Sequence, residues 1–283
     1  MIEAKDISVS FGGTGILDSV SFQAEAGQVT AIVGPNGSGK TTLLRAVTGD
    51  VEYGGVVSLE GADIKTMPAW QLASRRAVLP QASTLAFPFT VIEVVRMGLQ
   101  RSTSSGFEPI AMAALSRVGL DTHADRFFQD LSGGEQQRVQ LARVLSQVWQ
   151  PVVDGKARWL LLDEPVSSLD IGHQLQVMQI MRDFAQGGGG VIAVMHDLNL
   201  TAMYANRVMM MSGGALIAND TPMRVLTDET LSFAYQCHLK TNVLPTAGVP
   251  FILPHMAQTS SVFEQMPKLT EFAPSAPGLG RMN

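Results

Sequence analysis

The chain has 283 residues, of which 46% are hydrophobic, and a formal net charge of −5. It is long enough to bury a large core, yet no apolar stretch reaches the roughly 18 residues that span a bilayer, so any membrane association is expected to depend on a partner. The negative charge argues against nucleic acid as a partner, because duplex binders usually carry a basic face. Arg75, Arg76, Arg96 and Arg101 are candidates for a local basic patch, although scattered arginines more often form a solvated face.

The cysteine and histidine content argues against disulfides and metal clusters. Cys237 is the single cysteine, which excludes an intramolecular disulfide and suits a reducing cytoplasm. The first residues lack a basic region followed by an apolar run, so no secretory signal is predicted. Four histidines show no metal-ligand spacing with Cys237 and are predicted to be structural: His123, His173, His238 and His255.

The beginning of the chain shows strand patterns. Residues 7–11, 20–24 and 29–33 form short alternating or apolar runs separated by glycines, and residues 56–59 suggest a further strand pair.

Three apolar runs, at residues 29–33, 159–162 and 191–195, each lead into polar residues, which is typical of buried parallel strands. Between the last two runs, apolar residues recur at helical spacing. Together these patterns predict a layered α/β core. The residues at helical spacing are Val177, Ile180, Met181 and Phe184.

The middle and the end of the chain differ from this core in composition. Residues 86–149 carry helix-forming residues and few strand signals, which predicts a helical subdomain inserted into a core formed by residues 1–85 and 150–245. Prolines, serines, threonines and methionines then accumulate without periodicity. Residues 246–283 are therefore predicted to form an irregular tail.

A phosphate-binding loop is predicted directly after the third strand. Residues 34–41 match the pattern G-x-x-x-x-G-K-[ST] and open a predicted helix at residues 42–47, a context that a plain glycine-rich turn would not explain. The glycines let backbone N–H groups turn toward a phosphate at the helix N-terminus. Lys40 is expected to bridge the β- and γ-phosphates and the Thr41 hydroxyl to bind Mg²⁺. The residues predicted to bind ATP here are Gly34, Pro35, Asn36, Gly37, Ser38, Gly39, Lys40, Thr41 and Thr42.

Two carboxylates, Asp163 and Glu164, close the apolar run at residues 159–162. Asp163 is predicted to hold Mg²⁺ through water, and Glu164 to act as the base or orienter for the attacking water. Two adjacent acids usually mean only a solvated strand end. Their position downstream of a phosphate loop favours catalysis instead.

A third motif, LSGGEQQR at residues 131–138, resembles the signature of the ABC transporter family, with Glu135 where many members carry Gln. Ser132 and Glu135 also fit a capping box at a helix start, which is compatible with function. Gly133 and Gly134 would let a phosphate approach closely. The resemblance covers about residues 1–245. It implies an ATPase with ATP and Mg²⁺ as ligands and an α/β fold, in which a P-loop NTPase (RecA-like) core carries an antiparallel β subdomain and an inserted α-helical subdomain.

Four further residues take their predicted roles from this resemblance. Gln81 matches the Q-loop glutamine that contacts Mg²⁺ and the attacking water, and His196 matches the switch histidine that contacts the γ-phosphate. Asp170 matches the D-loop residue at the dimer interface, and Phe11 the aromatic residue that stacks on adenine. Each also has a plain alternative: a loop glutamine, a strand-end histidine, a helix N-cap and a core phenylalanine.

The family's subunits work in pairs, so the resemblance implies a second copy of this chain as a partner. ATP on residues 34–41 of one copy would meet residues 132–135 of the other. The resemblance also implies two copies of an integral membrane permease, an indirect link to a periplasmic substrate-binding protein, and a peripheral location on the cytoplasmic face of the bacterial inner membrane. Residues 82–97, including Phe87 and Phe89, are expected to form part of the permease-docking groove or else an ordinary core segment.

Residues 147–158, QVWQPVVDGKAR, form a longer link than many relatives have and resemble the bacterial haem (hemin) importer ATPases. ATP-driven haem uptake is therefore the expected function, with iron-siderophore or cobalamin import as the alternative. A soluble ABC ATPase of DNA repair would usually carry a long coiled coil, and a ribosome-associated one two ATPase domains. The sequence shows neither feature, and an exporter subunit stays open.

Overall fold

Two β-sheets form the framework of the described part of the chain, which comprises residues 1–81, 87–99, 108–246 and 248–254 of the computed structural model. The strands of these sheets are β1 (Ile2–Phe11), β2 (Thr14–Ala24), β3 (Val29–Val33), β4 (Gly54–Leu59), β5 (Ala62–Asp63), β6 (Arg76–Leu79), β9 (Trp159–Asp163), β10 (Gly190–Val194), β11 (Arg207–Ser212) and β12 (Ala215–Asp220). A separate hairpin consists of β7 (Val152–Val153) and β8 (Lys156–Ala157).

The smaller sheet is antiparallel, with the strand order β2-β1-β4-β5. The larger sheet has the order β12-β11-β3-β10-β9-β6, and all its strands are parallel except the edge strand β12. The helices are α1 (Lys40–Thr48), α2 (Ala69–Arg75), α3 (Val91–Arg96), α4 (Glu108–Arg117), α5 (Gly133–Gln147), α6 (Ile171–Gln186), α7 (Leu198–Tyr204), α8 (Pro222–Val225) and α9 (Asp228–Tyr235).

Alternate residues of the central strands face opposite layers. Leu161 of β9 and Ile192 of β10 pack with α1 and the antiparallel sheet, whereas Leu160 and Leu162 pack with the helices on the other side. Every residue of β3, β9 and β10 is buried. Because both faces are covered, these strands are continuously apolar, and the predicted layered α/β core is confirmed.

Helices α3, α4 and α5 pack against one another within the segment predicted to be helical. Both α3 and α5 begin with a capping box, formed by Thr90 with Glu93 and by Ser132 with Glu135. The chain after α3 lies so close to α5 that a β-carbon at Gly98 would collide with the Arg143 carbonyl. The division of the chain at residues 85/86 and 149/150 stays a prediction.

The structure extends the predicted elements and adds others. The strand predicted at residues 7–11 begins at Ile2, and the one at residues 20–24 begins at Thr14. Strands β6, β11 and β12 enlarge the central sheet, and α8 and α9 follow it. Most of the predicted tail, residues 255–283, lies outside the described residues, as do His255 and residues 82–86 of the predicted docking segment.

The unusual segment at residues 147–158 forms the end of α5 and the β7–β8 hairpin. Asp154 and Gly155 both have positive φ, 51° and 70°, as the two-residue turn of a tight hairpin requires. The hairpin lies against the turn before β10, because β-carbons at Gly187 and Gly188 would meet Pro151 and Val152.

Two of the arginines considered for a basic patch have structural partners. Arg75 forms an ion pair with Glu60 at 2.5 Å, and the Arg76 guanidinium donates to the Val47 carbonyl at 3.0 Å. A solvated face is therefore the wrong interpretation of these two residues. Arg101 lies outside the described residues. None of the helices within the described ranges is long and apolar enough to cross a membrane.

Candidate active site

The predicted site residues follow four parallel strands and lie at one edge of the central sheet. Strand β3 leads into residues 34–41, β9 into Glu164, β10 into His196, and β6 into Gln81. Because the carboxyl ends of neighbouring parallel strands meet at the same edge, residues far apart in sequence come together there.

The loop between β3 and α1 is folded tightly. Gly34 has a φ of 147°, and a β-carbon there would collide with the Met211 carbonyl. Gly39, the N-cap of α1, has a φ of 95°, and its β-carbon would lie 2.7 Å from Leu17. Glycine is thus required at both ends of the loop, which lets the loop lie at the N-terminus of α1, where backbone N–H groups favour an anion.

The Lys40 side chain is hydrogen-bonded to the backbone of this loop. Its Nζ atom donates to the carbonyl oxygens of Gly34 and Pro35, both at 2.9 Å, and the residue is only 6% exposed. Burial lowers the pKa of Lys40, while the nearby Glu164 and Asp163 raise it. The ammonium group is therefore fixed between the loop and the two predicted acidic site residues.

Thr41 and Asp163, the two residues predicted to hold Mg²⁺ from α1 and β9, are in direct contact. The Thr41 hydroxyl donates to Asp163 Oδ1 at 3.1 Å. Asp163 is 4% exposed, and burial raises its pKa above the usual value. A hydroxyl and a carboxylate oxygen side by side are donors of the kind that Mg²⁺ prefers, so these residues fit the ion.

The other predicted catalytic residues both contact one carboxylate oxygen of Glu164. Gln81 Nε2 donates to Glu164 Oε1 at 3.0 Å, and His196 Nε2 lies 2.6 Å from the same atom. Glu164 also has a φ of 52°, a conformation that non-glycine residues adopt at an expense of about 1–3 kcal/mol and that is concentrated at functional sites. The structure therefore brings Glu164, Gln81 and His196 together as a single cluster.

Gln137 contacts this cluster, although the sequence motifs assign it no role. Its Nε2 atom donates to the Glu164 carbonyl at 2.8 Å from α5. Its Oε1 atom is buried and has no hydrogen-bond partner among the described residues. The spacing in the sequence could have indicated a role for Gln137. It lies one helical turn after Gly133 and therefore on the same face of α5.

The signature residues start α5 as the capping box predicts. The Ser132 hydroxyl accepts from the Glu135 N–H at 3.4 Å, and the Glu135 carboxylate in turn accepts from the Ser132 N–H at 2.8 Å. A β-carbon at Gly134 would lie 3.1 Å from the Ser168 carbonyl, so the start of α5 lies against the segment that precedes α6. The signature and the predicted D-loop therefore share one surface.

Asp170 and Phe11 are placed at the margins of this arrangement. Asp170 is the N-cap of α6, where its carboxylate accepts from the His173 N–H at 2.9 Å, so its capping role is confirmed. Phe11 ends β1 and is 50% exposed, which makes the core interpretation wrong. Its stacking on adenine and the role of Asp170 between two copies stay predictions, as does ATP binding by Thr42, the third residue of α1.

Comparison with known proteins decides the family. The sequence model described as ABC transporter matches residues 17–167, more than half of the chain. The chain belongs to the ABC transporter family. It therefore carries an ATP-binding ATPase domain, and the predicted fold is confirmed.

Full-length relatives of this ABC transporter protein share more than half of its residues. A protein of Jannaschia sp. (strain CCS1), called hemin import ATP-binding protein HmuV, is 57% identical over 258 residues, which cover 91% of this chain and 96% of the relative. The protein of that name from Roseobacter denitrificans is 57% identical over 256 residues, covering 90% and 98% of the two chains.

Solved structures of ABC transporter proteins show the same fold. An ATP-binding cassette of an ABC transporter in its ADP conformation has a TM-score of 0.71 at 24% identity, covering 83% of this chain and 98% of that one. An ATP-binding subunit of an ABC transporter also has a TM-score of 0.71, at 22% identity, with coverages of 83% and 94%.

Proposed function

We propose that this chain is the ATPase subunit of a hemin importer and that two copies hydrolyse ATP at their interface. The convergence of Gln81, Glu164 and His196 beside the Thr41–Asp163 contact carries the hydrolysis part of the proposal. The names of the relatives with 57% identity support hemin as the transported substrate.

The phosphate loop and its surroundings would bind the nucleotide. Residues 34–42 form the cradle, Lys40 contacts the β- and γ-phosphates, and Phe11 stacks on adenine. Thr41, Asp163 and Gln81 would hold Mg²⁺, which supplies charge neutralisation at the phosphates when bound.

Glu164 would remove the proton from the attacking water. Its Oε1 atom contacts both Gln81 and His196, so the carboxylate would be oriented before the water arrives. The water oxygen then forms a bond to the γ-phosphorus, and the bond to ADP breaks. His196 would contact the γ-phosphate during this step.

The second copy would complete the site. Residues 132–135 and Asp170 lie on a shared surface, and they would meet the γ-phosphate held by residues 34–41 of the other copy. Because each chain has a net charge of −5, long-range attraction between copies is weak, and ATP is expected to hold the pair together by mass action. Hydrolysis would then allow the pair to separate, which is a ligand-driven two-state switch.

A pair of aromatic residues beside α3 supports permease docking. The rings of Phe87 and Phe89 form an edge-to-face contact with centroids 6.3 Å apart, and Phe87 is 67% exposed. Phe87 is thus available for a protein contact, whereas Phe89 packs against the core. A permease dimer at this surface would place the chain on the cytoplasmic face of the inner membrane, with the periplasmic substrate-binding protein acting from the other side.

Transport in reconstituted vesicles tests the whole proposal. The chain, its permease and its periplasmic binding protein are incorporated into lipid vesicles, and haem uptake is measured with ATP against competing ferric siderophore and cobalamin. We expect uptake of haem that the competitors do not reduce and that Glu164→Gln abolishes. Uptake of a competitor in place of haem would show that haem is not the substrate. If none of the three compounds is taken up with ATP, the chain is not the ATPase of such an importer.

A further inference from the structure

The hydroxyl of Ser132 is engaged by its own chain. It donates to Glu135 Oε2 at 2.7 Å, and the same carboxylate oxygen accepts from the Ser132 N–H at 2.8 Å. A serine hydroxyl has one proton, so it donates either to Glu135 or to an arriving phosphate. In the proposed ATP-bound pair, the Glu135 carboxylate and the γ-phosphate would therefore compete for the hydroxyl proton of Ser132.

Glu135 also adds a negative charge at this helix start. Hydrogen bonds from the Ser132 side chain and N–H lower the pKa of Glu135, so the group is ionised at neutral pH. A carboxylate in the first turn stabilises its own helix, but it repels a second anion that approaches the same N–H groups. A glutamine at this position would carry no such charge.

The second oxygen of the same carboxylate faces an imidazole. His123 Nε2 lies 3.5 Å from Glu135 Oε1, and both side chains are 24% exposed. His123 belongs to a short 3-10 turn at Asp121–His123, and its Nδ1 atom lies 3.1 Å from the Thr122 hydroxyl. The Arg126 guanidinium, which donates to the Asp130 carbonyl at 3.4 Å, adds a favourable charge near Glu135.

We propose that His123 is a positioning residue: its imidazole attracts Glu135 Oε1 and turns the carboxylate away from Ser132, thereby freeing the Ser132 hydroxyl for the γ-phosphate of ATP bound to the second copy. The inference rests on the ATP-bound pair proposed above. It assigns a function to a histidine that sequence spacing alone classed as structural.

A second pair on the same surface serves as a matched control. His173 Nδ1 lies 2.8 Å from Asp170 Oδ2, so it too is an exposed imidazole beside a carboxylate at a helix start. Asp170, however, caps α6, and its carboxylate accepts from the His173 N–H rather than from the start of α5. Substitution of His173 should therefore act independently of Glu135.

A double-mutant cycle tests the coupling. In the Glu164→Gln background, which is expected to accumulate the ATP-bound pair, the ATP concentration for half-maximal pairing is measured by light scattering. We expect His123→Gln to raise this concentration about 2- to 5-fold, the size of one partly exposed side-chain contact. In the added presence of Glu135→Gln the same change should have less than about a 1.5-fold effect, because the carboxylate that His123 contacts is gone.

A fixed cation provides the rescue. His123→Arg should restore the midpoint to within about 1.5-fold of the parent, since its guanidinium can attract Oε1 in place of the imidazole. Binding of a fluorescent ATP analogue to the single subunit should be unchanged in all His123 variants, which shows that they are folded.

The outcomes separate the two proposals. A shift from His123→Gln that is equal with and without Glu135→Gln, or no shift at all, would overturn the role of His123 while leaving the paired ATPase intact. Coupling of His173→Gln to Glu135→Gln of the same size would also overturn it, because the effect would then not be specific to this contact. If the parent fails to pair with ATP, the proposed function fails first and the inference falls with it.

Discussion

The two edges of the central sheet differ in what their residues do. At the carboxyl edge, Glu164 has a strained backbone, and the side chains of Gln81 and His196 meet at one of its carboxylate oxygens. At the amino edge, the β7–β8 hairpin packs on the turn before β10, and the backbone bonds there, such as Gly190 N–H to the Arg158 carbonyl at 2.9 Å, serve only to join strands.

Hydrolysis and the choice of substrate are supported by different parts of the molecule. The carboxyl edge has chemistry that can be argued atom by atom. The segment at residues 147–158, which carries the resemblance to hemin importers, lies away from that chemistry. The proposed ATP hydrolysis thus rests on geometry, whereas the proposed hemin substrate rests on the relatives, and mutations at the two edges should have effects of very different kinds.

The largest effect is expected from Glu164→Gln at the carboxyl edge. Loss of the base should reduce the rate of ATP hydrolysis by a factor on the order of 10²–10⁴, while ATP binding is retained because residues 34–41 are unchanged. Steady-state phosphate release and nucleotide binding measure the two effects separately.

Glu93→Gln is the matched control for this change, because Glu93 caps α3 outside the cluster. It should leave ATP hydrolysis by the isolated subunit close to that of the parent. If Glu164→Gln hydrolyses ATP at the parental rate, Glu164 is not the base. The carboxyl edge would then no longer differ from the amino edge in catalytic function.

Lys40→Ala should weaken ATP binding itself, by at least about tenfold. The change removes charge-assisted contacts to the phosphates and the two hydrogen bonds that hold Gly34 and Pro35, each contact contributing about 1–3 kcal/mol. Titration with a fluorescent ATP analogue measures the affinity. Lys65→Ala, on the antiparallel-sheet side, is the control, and an equal loss there would show that overall charge is responsible.

Gln137→Leu should have an intermediate effect. Loss of the hydrogen bond to the Glu164 carbonyl, about 1 kcal/mol, should lower kcat roughly 3- to 10-fold and change KM for ATP less. Gln136→Leu is the matched control, since Gln136 donates to the Leu131 carbonyl within its own segment. Equal kcat values for the two variants would mean that α5 does not position Glu164.

The sequence predicted what a short stretch of chain determines. Strands β3 and β9 were identified because burial on both faces makes them continuously apolar. Strand β6 has only the four residues RAVL, and β11 is rich in methionine, so neither shows a clear strand pattern.

The site residues also fall into two groups, those that a local motif identifies and those whose contacts depend on packing. Lys40, Asp163 and Glu164 are recognisable because adjacent residues form a motif. The contacts of Gln137 with Glu164 and of His123 with Glu135 depend on how α5 packs against β9 and on where the 3-10 turn lies, and no local pattern contains that information.

The smallest effect is expected at the amino edge, from Gly155→Ala. The turn holds Gly155 at a φ of 70°, and a β-carbon there would meet no neighbouring atom within 4 Å, so the substitution adds backbone strain without a clash. We expect a loss of about 1–2 kcal/mol of unfolding free energy, or a few degrees in Tm, with kcat and KM for ATP unchanged. Gly155→Asn, which tolerates this conformation better, should lose less. A fall in kcat beyond about twofold in either variant would show that the hairpin communicates with the carboxyl edge, and the separation of substrate resemblance from ATP chemistry would then be wrong.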